Sequence, residues 1–221
     1  MYAKENRGAS FYPIGLPDMK IICVGRNYAA HAHELNNPAP SNPVIFMKPE
    51  TALLQGRQPF FIPKFSKEIH HEVELVVKIN RNGKNIQEKF AHKYYDEIGI
   101  GIDFTARDLQ AELKSKGLPW ELAKAFDGSA PAAGFTSKKE LGDLNQLKFS
   151  LQKNGNTVQE GKCSDMIFSI DYIISFVSEY FMLKKGDLIF TGTPQGVGRI
   201  EINDVLDAFI GNNKLLTVKI K

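Results

Sequence analysis

Two glutamates within one apolar segment constrain this chain more than any other feature of its sequence. Residues 69–77 read Ile-His-His-Glu-Val-Glu-Leu-Val-Val and lie between Pro63 and the Asn82-Gly83 pair. Their pattern predicts a β-strand, and side chains two apart on a strand share a face, so Glu72 and Glu74 point the same way. The neighbouring positions are apolar enough that we expect an enclosed strand. An enclosed pair of carboxylates requires a cation or a proton.

A third carboxylate, that of Asp103, is predicted to join this pair. Residues 99–108 begin as a short apolar strand and pass into a helix that Thr105 and Asp108 are expected to cap. Asp103 then lies at a strand-to-helix junction, where side chains are usually presented into a cleft. Carboxylates are hard oxygen ligands, which suit Mg²⁺, Mn²⁺ or Ca²⁺ better than Zn²⁺. On spacing alone, the alternative of three unrelated surface acids stays open.

A short helix with a histidine and a glutamate is predicted upstream. Asn27 is expected to cap this helix, and the prolines and asparagines after Leu35 end it, so residues 28–43 predict a flap between two strands. His31 and Glu34 are three residues apart, hence adjacent on one helix face, and can hydrogen-bond as a base and its orienting carboxylate. The alternative is an exposed helical pair with no catalytic role.

Further polar residues follow Asp103 along the chain. Arg107 and Gln110 lie in the first turns of the next helix, where they face either the same cleft or solvent. Lys124 is flanked by Ala123, Ala125 and Phe126. This apolar setting favours a lysine whose charge contacts an anionic substrate. The alternative is a lysine that extends its ammonium group to solvent.

The glycine-rich loop at residues 191–198 lacks the Gly-Lys-Ser/Thr of a phosphate-binding loop. Its backbone N–H groups and threonine hydroxyls can still bind a small carboxylate. The sequence therefore gives no support to nucleotide binding at this loop.

Composition bounds the class of protein. With 221 residues, of which 43% are hydrophobic and 24% charged, we expect one domain at residues 19–221 after an N-terminal extension at residues 1–18, whose relation to the native protein stays open. Periodicity indicates a strand-rich chain with three helices, in the α+β class. The third helix is expected to begin with Ser169 as its cap and to end at Lys184-Lys185-Gly186, and a hairpin is expected to turn at Asn154-Gly155. A net charge of +3 does not favour nucleic acid, and neither a membrane span nor a secretory signal is evident, so we expect a cytoplasmic protein.

Four motifs, in their order along the chain, resemble those of the fumarylacetoacetate hydrolase superfamily, and most closely those of its single-domain acylpyruvate hydrolase and oxaloacetate decarboxylase branch. The match runs from about Lys20 to the C-terminus. The motifs are Gly25-Arg26-Asn27-Tyr28, His71-Glu72-Val73-Glu74, Asp103-Phe104-Thr105-Ala106-Arg107-Asp108 and Thr191-Gly192-Thr193-Pro194-Gln195-Gly196-Val197-Gly198.

The resemblance implies a fold, a metal and roles for particular residues. We expect the mixed β-roll of that family, a homodimer, and Mg²⁺ as cofactor with Mn²⁺ or Ca²⁺ as alternatives. The implied site consists of the metal ligands Glu72, Glu74 and Asp103, the water-activating pair His31 and Glu34, the catalytic cation Lys124, and the substrate-binding residues Arg26, Arg107, Gln110 and Thr193.

The implied reaction is cleavage of the C3–C4 bond of a small 2-oxo acid, which chelates the metal while the enolate of pyruvate departs. Acylpyruvate hydrolysis and oxaloacetate decarboxylation are both expected at such a site. The alternatives are a hydratase or isomerase of aromatic meta-cleavage degradation, and a non-catalytic binding domain whose acids use a cation to hold strands together.

Overall fold

The computed structural model describes residues 19–34, 40–54 and 58–221. The predicted N-terminal extension, residues 1–18, and the breaker-rich residues 35–39 of the predicted flap lie outside the described residues. Within the described ranges, no helix is long and apolar enough to cross a membrane.

Short strands dominate the described part of the chain. They are β1 (Ile21–Gly25), β2 (Val44–Lys48), β3 (Ile69–His71), β4 (Val73–Ile79), β5 (Tyr95–Ile102), β6 (Thr105–Ala106), β7 (Ala132–Ser137), β8 (Lys148–Lys153), β9 (Asn156–Lys162), β10 (Leu188–Phe190), β11 (Gly198–Arg199), β12 (Val205–Ile210) and β13 (Asn213–Lys219). The helices are α1 (Ala29–Glu34), α2 (Glu88–Ala91), α3 (Arg107–Ser115), α4 (Glu121–Lys124), α5 (Lys138–Leu141) and α6 (Ile170–Tyr180). The three predicted helices correspond to α1, α3 and α6, and the others are single turns too short to give a periodic pattern.

The strands form three sheets. The largest has the order β2-β1-β10-β4-β5-β7 and is mixed, because β1 and β10 are parallel while its other neighbouring strands are antiparallel. The order β11-β3-β6 describes a small sheet, and β13-β12-β8-β9 a four-stranded sheet. Strands distant in sequence are therefore neighbours, which brings the predicted motifs together.

Strand β4 lies in the interior of the large sheet, between β10 and β5. Val73, Leu75, Val76 and Val77 are fully buried, and Glu74 between them is buried as well, which confirms the predicted enclosed strand. Burial of each such aliphatic side chain contributes about 1.5–3 kcal/mol. This packing fixes the position of the glutamate backbone.

Two predicted helix caps are wrong. Asn27 does not cap α1, because its amide donates to the carbonyls of Phe168 (3.0 Å) and Thr191 (2.7 Å) and accepts from Phe168 N (2.7 Å). Helix α3 begins at Arg107 after Ala106, with no side-chain cap, and Thr105 lies in β6. The Asp108 carboxylate accepts mainly from Ser66 Oγ (2.6 Å) and Lys67 N (2.8 Å). In both cases a distant partner competes successfully with the local cap.

Two other local predictions are confirmed, whereas the predicted end of the third helix is wrong. The hairpin of β8 and β9 turns at Asn154 and Gly155, both with positive φ, as an Asn-Gly type I′ turn requires. The Ser169 side chain accepts from Tyr172 N and caps α6. That helix ends at Tyr180, earlier than the lysine-glycine stop predicted at residues 184–186.

Candidate active site

The three predicted carboxylates meet at one point in the interior. Glu72 occupies the single-residue break between β3 and β4, Glu74 follows in β4, and Asp103 comes directly after β5. The backbone N–H of Asp103 donates to Glu72 O at 2.8 Å, which fixes the two chain segments side by side. One oxygen of each carboxylate lies within 4.8 Å of the others, and all three residues are buried.

Cationic side chains surround these carboxylates. Lys124 Nζ lies 2.8 Å from Glu72 Oε2 and 2.6 Å from Asp103 Oδ2, and it donates its third hydrogen bond to Thr105 Oγ1 at 2.5 Å. The Arg107 guanidinium donates to Glu72 Oε1. The ammonium group has three donors, so the protein itself uses the whole hydrogen-bonding capacity of Lys124.

Lys48 lies behind the site and was not predicted. Its Nζ is 2.8 Å from Asp103 Oδ1, donates to Ser129 Oγ at 2.9 Å and also contacts the carbonyl of Lys124. The lysine is buried, and it holds the backbone of α4 against Asp103. A lysine that ends the apolar strand Val44–Lys48 was the available sequence signal.

The environment moves the carboxylate pKa values apart. Burial alone would raise the pKa of Glu72, but the adjacent Lys124 and Arg107 charges hold it well below its usual range. Burial, reinforced by the charges of Asp103 and Glu72, raises the pKa of Glu74 well above its usual range. Burial would lower the pKa of Lys124, but Asp103 and Glu72 raise it overall.

The residues present fit a hard divalent cation. Glu72, Glu74 and Asp103 offer three carboxylates within 4.8 Å of one another, the ligand type that Mg²⁺ and Mn²⁺ prefer. The raised pKa of Glu74 indicates a carboxylate whose negative charge the protein groups leave incompletely compensated, as a cation site requires.

His31 and Glu34 form the predicted hydrogen bond. His31 Nδ1 lies 3.1 Å from Glu34 Oε2, and His31 is buried at the cavity above the carboxylates. The other oxygen, Glu34 Oε1, accepts from Gly196 N at 3.0 Å. The exposed-pair alternative does not describe this arrangement, because the glutamate joins α1 to the glycine-rich loop.

The predicted substrate-binding residues all line the same cavity as the carboxylates: Arg26, Arg107, Gln110 and Thr193. Arg107 Nη1 donates to Gln110 Oε1 at 2.7 Å, so the Gln110 amide nitrogen remains as a donor. The Thr193 hydroxyl donates to Val73 O at 2.8 Å. A substrate carboxylate would compete with this carbonyl for the hydroxyl proton.

Gln159 is a further residue that sequence reasoning missed. Its Oε1 accepts from Val73 N at 3.0 Å and lies 2.9 Å from His71 Nδ1, while its Nε2 donates to Thr193 Oγ1 (2.9 Å) and Pro194 O (3.0 Å). This buried amide ties the metal strand to the glycine-rich loop. A lone glutamine in a hairpin strand carries no sequence signal for that role.

Lys114 and Trp120 also line the cavity and were not predicted. Lys114 Nζ lies 5.1 Å from the centroid of the Trp120 ring. Burial, followed by the charges of Arg26, Arg107 and Lys124, lowers the pKa of Lys114 to about 8. The helical position of Lys114, one turn after Gln110, was the available signal.

Comparison with known proteins identifies relatives along almost the whole chain. The family described as "Fumarylacetoacetate (FAA) hydrolase C-terminal" matches residues 20–221. The chain is 42% identical over 220 residues to "Oxaloacetate tautomerase YcgM" of Escherichia coli K12, covering 98% of this chain and 99% of the relative. It is 43% identical to "Oxaloacetate decarboxylase, mitochondrial" of Dictyostelium discoideum, covering 85% and 86%.

A solved structure shares the fold of this chain. Fumarylpyruvate hydrolase from Pseudomonas aeruginosa, determined in complex with Mn²⁺ and pyruvate, superposes with a TM-score of 0.86 at 35% identity, covering 92% of this chain and 90% of that one. This similarity confirms the predicted fold class, including the mixed β-roll.

Proposed function

The chain belongs to the fumarylacetoacetate hydrolase family, and from that premise we propose that it cleaves the C3–C4 bond of a small 2-oxo acid with a divalent metal. One observation carries the proposal: three buried carboxylates line a single cavity together with His31, whose Nδ1 contacts Glu34. Acylpyruvates and oxaloacetate are the candidate substrates, and the relatives named for oxaloacetate support the second.

We propose Mg²⁺ as the metal, held by Glu72, Glu74 and Asp103, and the Mn²⁺ in the related hydrolase supports a divalent ion of this type. Such an ion supplies stabilisation of negative charge on the carboxylate and keto oxygens of the substrate. Lys48 acts as a positioning residue in this scheme, because its ammonium group holds Asp103 in place. Lys124 is the proposed catalytic cation, and its contacts with Glu72 and Asp103 fix its charge beside the metal ligands.

In hydrolysis, His31 is the proposed base. Its Nδ1 faces Glu34, so in the tautomer with hydrogen on Nδ1 the lone pair of Nε2 is available to a water molecule. Nε2 takes a proton from water, the oxygen attacks the C4 carbonyl, and the C3–C4 bond breaks. The electron pair of that bond leaves with the pyruvate fragment, which takes a proton at C3.

Oxaloacetate requires no water for decarboxylation. Its C4 carboxylate leaves as CO₂ and the C3–C4 electron pair remains on the three-carbon fragment. The charges of Lys124 and Arg107, fixed beside the carboxylates, offset the negative charge that develops on the 2-oxo group. One site can therefore serve both reactions.

Tautomerisation of oxaloacetate is a second candidate, which the printed name of the Escherichia coli relative favours. The same cavity supports it, because interconversion of the enol and keto forms needs a proton moved between C3 and the 2-oxygen, and His31 is a base at this position. Hydrolysis, decarboxylation and tautomerisation all change the bonding at C3 of the oxo acid.

Steady-state assays with Mg²⁺ test the proposal. Purified protein is given oxaloacetate and acetylpyruvate, with pyruvate formation as the readout, and enol oxaloacetate, with loss of enol absorbance as the readout. We expect turnover of at least one substrate that stops in excess EDTA and returns with Mg²⁺ or Mn²⁺. Turnover that persists after chelation and dialysis would contradict the metal-dependent scheme.

The assembly, domain extent and cellular location are also proposals. We propose a homodimer, which the resemblance to the family implies. We also propose that residues 19–221 form one catalytic domain, which the family match over residues 20–221 supports. We propose a cytoplasmic location, although several relatives are named as mitochondrial. Sedimentation equilibrium tests the dimer, and fractionation of the source cells tests the location.

A further inference from the structure

Four cationic side chains line the cavity, and two of them have no carboxylate partner among the described residues. Lys124 and Arg107 are paired with Glu72. Arg26 and Lys114 line the same space but form no ion pair or hydrogen bond within the part of the chain that the structure describes. Both are half-buried, so their charges are only partly screened by water.

Both cations line the cavity, and each has a distinctive local geometry. Arg26 ends the turn after β1 with φ of 59°, a left-handed conformation that is uncommon for a residue with a Cβ. Lys114 extends from α3 across the face of Trp120, with Nζ 5.1 Å from the ring centroid, and this cation–π contact fixes the ammonium group without neutralising it.

The charges around Lys114 are mostly like its own. Burial is the largest cause of its lowered pKa, followed by Arg26, Arg107 and Lys124, and Glu72 is the opposing charge. This end of the cavity therefore has a positive potential that favours an anion.

The charge balance of the whole site indicates how many negative charges a ligand should bring. The three carboxylates are matched in number by the cations that contact them, Lys48, Arg107 and Lys124. A divalent ion adds two positive charges, and Arg26 and Lys114 add two more. A dianion satisfies such a site better than a monoanion does.

We propose that Lys114, with Arg26, forms a subsite for the second carboxylate of a dicarboxylic 2-oxo acid, so that the cavity selects diacids over acylpyruvates. This inference rests on the proposed function and specifies its substrate. The 2-oxo and adjacent carboxylate groups face the metal ligands, and the C4 carboxylate extends toward α3 and Trp120.

Two substrates of nearly equal shape test the subsite. Oxaloacetate and acetylpyruvate differ at C4 by a carboxylate oxygen in place of a methyl group. We expect Lys114→Met to lower kcat/KM for oxaloacetate by about tenfold or more relative to its effect on acetylpyruvate, because a hydrogen bond to a charged group is lost. Lys114→Arg, which keeps the charge, should retain most of the preference.

Lys116→Met is the matched control. Lys116 lies just after α3 and pairs with Glu112 at 2.6 Å, with both side chains exposed, so its removal should leave the ratio of the two kcat/KM values unchanged. Equal losses for both substrates in Lys114→Met, or no loss for oxaloacetate, would overturn the subsite.

A binding readout separates this inference from the proposed function. With Mg²⁺ present, oxaloacetate should raise the Tm of the wild-type protein more than acetylpyruvate does, and this difference should disappear in Lys114→Met. If wild-type protein turns over neither compound, the proposed function fails, while the Tm comparison still decides the subsite. Equal Tm shifts for both compounds in the wild-type protein would refute it.

Discussion

At the scale of single residues, the proposed base His31 is held by a glutamate that also contacts the glycine-rich loop. His31 contacts Glu34 at 3.1 Å, and Glu34 also accepts from Gly196 N at 3.0 Å. The glutamate thus orients the imidazole and is itself oriented by the loop. Loss of either side chain should affect the reaction that needs an activated water more than the one that does not.

Replacement of His31 by alanine should separate the two proposed reactions. A general base typically contributes about 10²–10⁴-fold, so we expect His31→Ala to lower kcat for acetylpyruvate by about two orders of magnitude and kcat for oxaloacetate decarboxylation much less. Glu34→Ala should follow the same pattern more mildly. Glu34→Gln removes the charge and one of the two acceptor oxygens, so it can keep the contact with Gly196 N only by turning its NH₂ group toward His31 Nδ1. Equal losses for both substrates would mean that His31 only closes or positions the site.

The lowered pKa of Lys114 predicts a pH dependence. Its pKa is about 8, so the ammonium group is charged below that pH and becomes neutral above it. We expect kcat/KM for oxaloacetate, which reports the free enzyme, to fall as pH rises through about 8. A bound carboxylate favours the charged form, so kcat should fall at higher pH.

Lys114→Arg is the control for this profile, since a guanidinium group keeps its proton throughout the accessible range. In that variant the fall of kcat/KM near pH 8 should disappear. A profile identical to that of the wild-type protein would assign the titration to another group.

Residue-level prediction succeeded where the signal was local. Glu72 and Glu74 are two apart in a segment predicted as one strand, although Glu72 lies in the break just before β4. His31 and Glu34 are three apart on one helix, so sequence spacing indicated each pair. Lys48 and Gln159 contact partners at least 34 residues away. The apolar strand that Lys48 ends was a signal for its burial but not for its partners, and Gln159 carried no local signal.

At the scale of elements, the loop after β10 positions the metal ligand Glu74. Gly192 N donates to Glu74 Oε2 at 2.7 Å, and Gly192 has φ of 101°, which favours glycine. A Cβ atom there would lie 2.6 Å from Asn27 Cβ and 3.2 Å from Val24 O. The loop can therefore approach Glu74 only with glycine at this position.

Gly192→Ala should destabilise the fold and weaken metal binding together. We expect a loss of more than about 1–2 kcal/mol in the free energy of unfolding, since the left-handed conformation alone costs that much and a backbone clash is added. Gly117→Ala is the control, because Gly117 has φ of 64° and a Cβ atom added there would meet no other atom within 4 Å. Urea unfolding and calorimetric Mg²⁺ titration measure both effects, and equal losses for the two variants would contradict the packing argument.

Element boundaries were predictable where local chemistry acts alone. The Ser169 cap and the Asn154-Gly155 turn depend only on neighbouring backbone atoms. Asn27 and Thr105 have the residue types of helix caps, but their side chains bind Phe168 and Lys124 instead. Those partners become available only after the sheets assemble, so the sequence could not show the competition.

At the scale of the whole molecule, the metal site joins strands from separate parts of the chain. The carboxylates come from the β3–β4 break, from β4 and from the end of β5. A bound cation therefore connects two of the three sheets, and its removal leaves buried like charges together.

Chelation should lower the Tm of the whole protein in a single transition. A ligand at about 100 times its Kd stabilises the native state by about 2.7 kcal/mol, and each kcal/mol corresponds to a Tm shift of about 2–4 °C for a domain of this size. Mg²⁺ or Mn²⁺ should restore the Tm, and Glu74→Gln should weaken the response. Glu112→Gln, on the exposed surface, is the control, and a Tm insensitive to EDTA and to added metal would contradict the site.

The overall architecture was predictable only through the family resemblance. Strand content followed from the periodicity of segments such as residues 73–79, whereas sheet order depends on pairings such as β1 with β10, where Ile21 lies opposite Leu188. Nothing in either segment encodes its partner, because both are short apolar runs that fit several neighbours equally well.

The two contacts of Glu34 make the orientation of the proposed base depend on the position of the glycine-rich loop. One carboxylate holds the imidazole with one oxygen and the Gly196 backbone with the other, so any separation of α1 from the glycine-rich loop removes one of the two contacts that aim His31. The imidazole is therefore oriented for proton transfer only while both contacts of Glu34 are present. An oxo acid bound without them would meet no oriented base. Any route of product release that separates α1 from this loop would therefore break a contact of Glu34, and that contact has to form again before the next water molecule can be activated.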